Sequence, residues 1–360
     1  MLSAELSKKL ISRECNTLTM ASHIESNHGN HVNKDADFDV RELFNLLDSA
    51  NITDVTEIKD LVQEKLIENS DTWILNSLVE YYYITSSKEA IDILINVKTP
   101  HDKHLVDKIS EGIRGAPHRL KAVQLLLHVV CKQPMWIQKS DKIISQSLFG
   151  VLMKCLKNET DVPILMTGVM SLTVLLPSIP TYLGHQLSTI FEVFSHLMTF
   201  SHKKPGNVPD VYLLHLQVAL YSLFHRLYGM FPYSFLAFLR TYYGKKENIA
   251  VYEECVKPML ERVRLHPGLI TGNRDAEISA TRWRTMEIQD VVMECAKMSL
   301  DVMEGMWDDS SESLKKNILY KPLEQSKSKD ITFQTRGKNG ENAVNKLLEQ
   351  SKCKDSSFIN

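Results

Sequence analysis

Between residues 39 and 301 the apolar positions recur at intervals of three and four, the spacing that lines one face of an α-helix. Val40, Leu43, Phe44 and Leu47 open the pattern. Thr53 or Asp54 stands where a cap is needed for the next helix, whose stripe is Val55, Ile58, Leu61, Val62, Leu66 and Ile67. Asp71 precedes a third helix with Trp73, Ile74, Leu78, Val79 and Tyr82, and Ser87 precedes a short fourth with Ile91, Leu94 and Ile95. A helix over 105–113 follows, and Pro117 reads as the start residue of the one carrying Val123, Leu126, Leu127 and Val130. The same periodicity predicts helices over 142–156, 163–176, 183–200, 209–228, 233–243, 249–263 and 286–298. Helix pairs of roughly 35 to 45 residues, joined by short turns with no strand-rich stretch between them, predict an all-α fold, a HEAT-like α-solenoid of stacked helical hairpins.

The flanks read differently. Residues 1–38 are polar, with His23, His28 and His31 among Ser and Asn, and are expected to form a disordered arm. Residues 302–360 turn Ser- and Lys-rich and are expected to be a disordered or low-complexity tail. The octapeptide LEQSKSKD at 323–330 returns there as LEQSKCKD at 348–355, a polar duplication too small to build a core.

Two segments sharpen the picture of the stack. Residues 162–191 contain no Asp, Glu, Lys or Arg, and Pro177 and Pro180 interrupt them. The apolar piece before the first proline covers about 20 Å as a helix, short of the roughly 30 Å hydrocarbon core of a bilayer. It is expected to be a core helix, apolar all round and with neighbours on every side. At 223–232, Gly229 reads as a helix C-cap and Pro232 as the start of the next helix. Arg226 is placed to hold a carboxylate or helix carbonyls there, and His225 reads as a satisfied buried histidine.

Composition excludes more than it assigns. The 42 Lys plus Arg and 44 Asp plus Glu leave a net charge of −2, which gives no global attraction to nucleic acid. Only 14 Gly and 12 Pro occur in 360 residues, too few for a fold that turns every eight to twelve positions. The six cysteines contain no CxxC pair, so zinc ribbons and dithiol redox sites have no support, and Cys131 and Cys155 read as small buried hydrophobes in a reducing compartment. The first twenty residues lack the apolar run of a secretory signal, which points to the cytosol. No phosphate-binding loop, dinucleotide fingerprint, HExxH, GxSxG or kinase signature occurs, so no enzyme activity, catalytic residue, metal or cofactor is predicted.

Two polar clusters stand out. In Pro100–His104, His101 and His104 share a helix face and could ligate a metal beside Asp102. The simpler reading makes Pro100 a helix start, Asp102 a first-turn acid that favours the dipole, and the histidines caps or solvent-facing groups. The other cluster is basic: Lys203 and Lys204, Lys245 and Lys246, and Arg282 and Arg284 on either side of Trp283. A few converging cations suffice for an anionic headgroup, so these six are the candidate anion or phosphoinositide patch.

Longer strings carry a resemblance. LVEYYYITSS at 78–87, PHDKHLVDKI at 100–109, MKCLKNETDV at 153–162, KKPGNVPDVYLLHL at 203–216, LFHRLYGMFP at 223–232, VKPMLERVRLHP at 256–267 and DVVMECAKMSLD at 290–301 resemble, in order and spacing, the N-terminal region of the hamartin family. The resemblance covers 39–301 and implies a HEAT-like solenoid in a non-enzymatic scaffold of the tuberous sclerosis complex. It further implies tuberin as partner, with tuberin the GTPase-activating subunit for Rheb and target-of-rapamycin growth signalling restrained as a result. Self-association and peripheral, phosphoinositide-dependent recruitment to the lysosomal membrane belong to the same implication. A stand-alone phosphoinositide-binding module, or a short form without tuberin binding, is the alternative. Family members run on into a long coiled coil, and no heptad run follows residue 301 here, so the chain is expected to be a short form, a truncated gene product or a fragment.

Overall fold

A computed structural model describes residues 43–68, 72–132, 148–206, 208–300 and residue 318. Eleven helices of eight or more residues organise them. In chain order these are α1 (Ile52–Glu68), α2 (Trp73–Thr85), α3 (Lys88–Ile95), α4 (His101–Arg114), α5 (Arg119–Lys132), α6 (Phe149–Asn158), α7 (Val162–Leu175), α8 (Leu187–Lys203), α9 (Asp210–Met230), α10 (Pro232–Tyr243) and α11 (Ile288–Ala296). Short helical turns at Leu46–Asp48, Leu176–Ser178, Pro180–Leu183, Gly268–Thr271, Arg274–Ile278 and Ala280–Arg284 join or follow them. The helical stretch after α10 includes a π turn, Tyr252–Val256.

The helices form two layers. One layer runs α3, α5, α7, α9, α11, each packed on the next; the other runs α2, α4, α6, α8, α10 in the same manner. Hairpin partners α2 and α3, α4 and α5, α6 and α7, and α8 and α9 tie the layers together. That arrangement is an α-solenoid, as the periodicity predicted. Among the described residues no strand forms, and one antiparallel bridge pairs Val263 with Ser299.

The core between the layers is continuous. Leu165 and Leu172 of α7 and Leu216, Leu220 and Leu223 of α9 are fully buried. Phe191 and Phe194 of α8, Phe224 of α9 and Phe235 of α10 gather their rings at 5.1 to 6.2 Å, joining three helices through edge and tilted contacts. Each such side chain contributes on the order of 1.5–3 kcal/mol by leaving water.

Local signals were read with mixed success. Ser87 caps α3, its Oγ accepting from Ala90 N–H at 3.2 Å. The cap of α1 is Asn51 instead of Thr53 or Asp54: Asn51 Oδ1 accepts from Thr53 N–H at 3.2 Å, and the helix starts at Ile52. Pro117 lies in the turn before α5, not at its first position. Cys131 is exposed on the last turn of α5, so it is not a buried hydrophobe; Cys155 is partly buried, and burial pushes its thiol up to about 11. The central helix α7 has an open side, since Met170 keeps 44% of its surface exposed. No described helix is long and apolar enough to cross a membrane. The expected terminal arm and tail lie outside the described residues, as do Val40 and Asp71.

Gly229 is the clearest revision. It does not end a helix: α9 continues to Met230, and Gly229 is buried against α11. A Cβ there would lie 2.6 Å from Cys295 Sγ and 2.8 Å from Cys295 Cα, so the glycine is required by the close approach of two helices. Gly150 of α6 has no such neighbour. Gly229→Ala should therefore destabilise by about 1–3 kcal/mol despite its better helix propensity. Gly150→Ala should stabilise by about 0.5–1 kcal/mol. Urea unfolding of both variants checks the pair, and equal shifts would contradict the α9–α11 contact.

Candidate functional site

The six basic residues fall into two groups. α8 and α10 pack on each other, and both lysine pairs sit at or just after the C-terminal ends of these helices. Lys203, Lys204, Lys245 and Lys246 are all exposed. Acids accompany them: Lys204 Nζ lies 3.8 Å from Asp210 Oδ1, and His202 Nε2 lies 3.1 Å from Glu254 Oε2 across to the π turn.

Arg282 and Arg284 belong to the opposite end of α10. Arg282 is half-buried, stacks over Trp283 at 4.3 Å and donates from Nη1 to Met230 O at 3.4 Å. Trp283 is buried and donates from Nε1 to Glu277 O at 2.8 Å. The Glu277 carboxylate accepts from Tyr233 N–H, and at 3.1 and 2.8 Å from Ser234 N–H and Oγ–H, which caps α10 from a distant part of the chain. Twelve residues of helix put about 18 Å between this end and the lysine end. Arg284 is exposed beside this network, while Arg282 is committed to it.

Burial raises the Glu277 pKa from the usual carboxylate value, with the N–H and hydroxyl donors and Arg282 acting the other way. Burial likewise lowers the Arg282 value. No sequence signal marked Glu277 as a cap, because its partners are more than forty residues away.

The histidine cluster is structural in geometry. His101 and Asp102 are buried in the first turn of α4, so His101 is neither a cap nor solvent-facing. His104 Nε2–H donates to Asn76 Oδ1 at 2.8 Å. Asp102 accepts from Thr99 Oγ1–H at 3.1 Å and from Lys103 N–H at 2.9 Å. Among the described residues no group of three His, Cys, Asp or Glu side chains could hold a metal ion.

A cavity of about 750 Å3 lies where α4 ends, α5 begins and α6 ends. Arg114, Arg119, Lys154, Cys155, Asn158 and Glu159 contribute to its wall. Arg119 Nη1 pairs with Glu159 Oε2 at 2.6 Å and Nε donates to Ile113 O at 2.9 Å, pinning the α4–α5 turn to the α6–α7 turn. Burial works against the charge of Glu159, yet hydrogen bonds from Asp161 and Thr160 N–H and from Arg119 hold its carboxyl below the usual range. Arg114 and Lys154 are exposed at the wall. The residues come from segments forty positions apart, which hid the grouping from a linear reading.

With fold and sites in place, comparison with known proteins decides the family. The model of the hamartin N-terminal domain matches residues 40–311. The chain belongs to the hamartin N-terminal domain family. Hamartins of Mus musculus, Rattus norvegicus and Homo sapiens are each 44% identical to it over 270 residues, 75% of this chain and 23% of theirs. The chain thus spans about a quarter of the length of these hamartins. Among solved structures, the TSC1 N-terminal domain aligns with a TM-score of 0.61 at 21% identity over 74% of each chain. The TSC1 N-terminal domain with its linker domain aligns at 0.59 and 19%, over 78% of this chain and 74% of that one. These likenesses show the hamartin-type helical fold.

The Glu277 cap gives a test. Glu277→Ala strands two N–H groups at the start of α10 and should cost about 1–3 kcal/mol in urea unfolding. Since the folded-state pKa of Glu277 is raised, folding favours its protonated form, a contribution to stability that is full at low pH and is lost as pH rises through that pKa. The advantage of wild type over Glu277→Gln should therefore shrink as pH rises above the ordinary carboxylate range. A constant difference would reject the buried carboxylate.

Proposed function

We propose that the chain is a non-enzymatic scaffold module that supports tuberin as GTPase-activating protein for Rheb and so restrains target-of-rapamycin growth signalling. The observation that carries this reading is the hamartin family match across the whole helical stack, 40–311. A two-layer stack of helices acts by presenting faces and edges to partners, each repeat held by its neighbours. Tuberin contacts in this reading fall largely outside the part of the hamartins that the chain spans, with self-association assigned to the stack. Co-expression in cells lacking hamartin tests it. Tuberin should co-purify with the 360-residue chain more weakly than with a hamartin carrying its coiled coil, and Rheb-bound GTP should fall. Absence of both effects would reject the scaffold reading.

A second reading is favoured by one observation, the four lysines at the same end of α8 and α10. In it the chain acts at a membrane through phosphoinositide headgroups, with peripheral recruitment from the cytoplasm to the lysosome. Converging surface cations gain on the order of 1 kcal/mol each near an anionic leaflet, and salt screens the gain. Charge reversal at Lys203, Lys204, Lys245 and Lys246 should abolish flotation with phosphoinositide vesicles. Equal flotation of variant and wild type would remove the lysine edge from consideration.

A further inference from the structure

The charge-free helix α7 and the charge-free stretch of α9 from Val211 to His225 leave an apolar face uncovered. On α9, Val211, Leu214 and Val218 are 53%, 56% and 60% exposed, and Met170 on the adjoining α7 is 44% exposed. Neither α7 nor the stretch of α9 from Val211 to His225 carries an Asp, Glu, Lys or Arg. Leu214, Val218, Ser222 and Arg226 follow one another at intervals of four, the ridge that helices use to pack into one another's grooves. From Val211 to Ser222 the open run is about 16 Å long, some three turns of helix.

The ridge ends on an unbalanced charge. Arg226 is half-buried where α11 crosses α9, beside Cys295, whose Sγ lies 3.9 Å from Arg226 O. Its Nε and Nη1 are buried with no hydrogen-bond partner, and Nε2 of the adjacent His225 is in the same state. Among the described residues no carboxylate pairs with Arg226, against the expectation from sequence. Two unpaired nitrogens leave the guanidinium with unused donors, and a carboxylate is the planar group that matches its fork.

We propose that the open face of α7 and α9 is a docking surface for an amphipathic helix of a partner protein that brings a carboxylate to Arg226. The apolar ridge supplies the contact for residues spaced three and four apart on the partner, and the cation at its end fixes direction and register. A lipid surface fits less well. Headgroups meet exposed cations, whereas Arg226 is half-buried at the foot of a narrow apolar ridge. The proposal stands apart from tuberin binding, since it uses neither the lysine edge nor the coiled coil.

The test uses the full 360-residue chain and a displayed library of 16-residue helical peptides, with leucines at the ridge spacing and the remaining positions randomised. Val218→Asp serves as counter-selection; because the side chain is exposed, circular dichroism should match wild type. Selection should return peptides lost on Val218→Asp that share an acidic position. Acid-to-amide exchange at that position should weaken binding about tenfold against wild type and less than about twofold against Arg226→Met. Four results would overturn the proposal: no peptide dependent on Val218, no acid preference, an acid effect unchanged by Arg226→Met, or binding of wild type but not Val218→Asp to phosphatidylcholine vesicles. Light scattering that shows a wild-type dimer and a Val218→Asp monomer would also overturn it, assigning the face to a second copy of the chain.

Discussion

A helix without a single charged side chain stays in water only if its neighbours cover most of it, and α7 meets that condition by lying between α5 and α9. The rest of the stack follows from this burial. Helices flanking α7 must themselves be covered on the far side, which brings in α3 and α11 in the same layer and the hairpin partners in the other. Stability is then shared between neighbouring repeats, so damage at the α7 contacts spreads in both directions along the layers. Where two helices come closest, the residue type is dictated by space: Gly229 allows α11 to rest its Cys295 backbone on α9.

Polar contacts fasten the described segment after α10 to the stack. Tyr228 donates to Arg264 O at 2.8 Å and accepts from His266 N–H at 3.0 Å. The imidazole of His266 reaches Gly229 O at 3.2 Å from Nε2 and accepts Gly268 N–H at 2.9 Å on Nδ1. Burial pulls its pKa down to about 4, so it remains neutral, which is the form these two bonds require. Together with the Glu277 cap, these bonds fasten a segment of short turns to α9 and α10. Such a segment has too few apolar positions in any one periodic run to hold itself in place.

The fold was legible because its determinants are local. Helical spacing is set within seven residues, and a cap such as Ser87 precedes its helix directly. What escaped was set by pairs far apart in the chain. Glu277 caps Tyr233 and Ser234 across more than forty positions, and Arg119 joins Glu159 across forty. Gly229 was misread because glycine before proline fits a helix end in isolation, and only the position of α11 shows the other reason for it. The helix before Pro177 reads as enclosed on every side because sequence gives the hydrophobicity of a helix but not the number of its neighbours. Of the candidate basic residues, Arg282 is drawn into the Glu277 and Trp283 network, a contact that spacing along the chain does not show.

The net charge of −2 conceals two surfaces with different physics. The lysine edge has Asp210 and Glu254 close by, so its positive field is local and falls with ionic strength. The α7–α9 face has no charge along its length, and association through it would be insensitive to salt except at Arg226. The two lie on different layers, with the lysines at the ends of α8 and α10 and the apolar ridge on α7 and α9. They adjoin at the start of α9, where Lys204 lies 3.8 Å from Asp210, the residue before Val211 of the ridge.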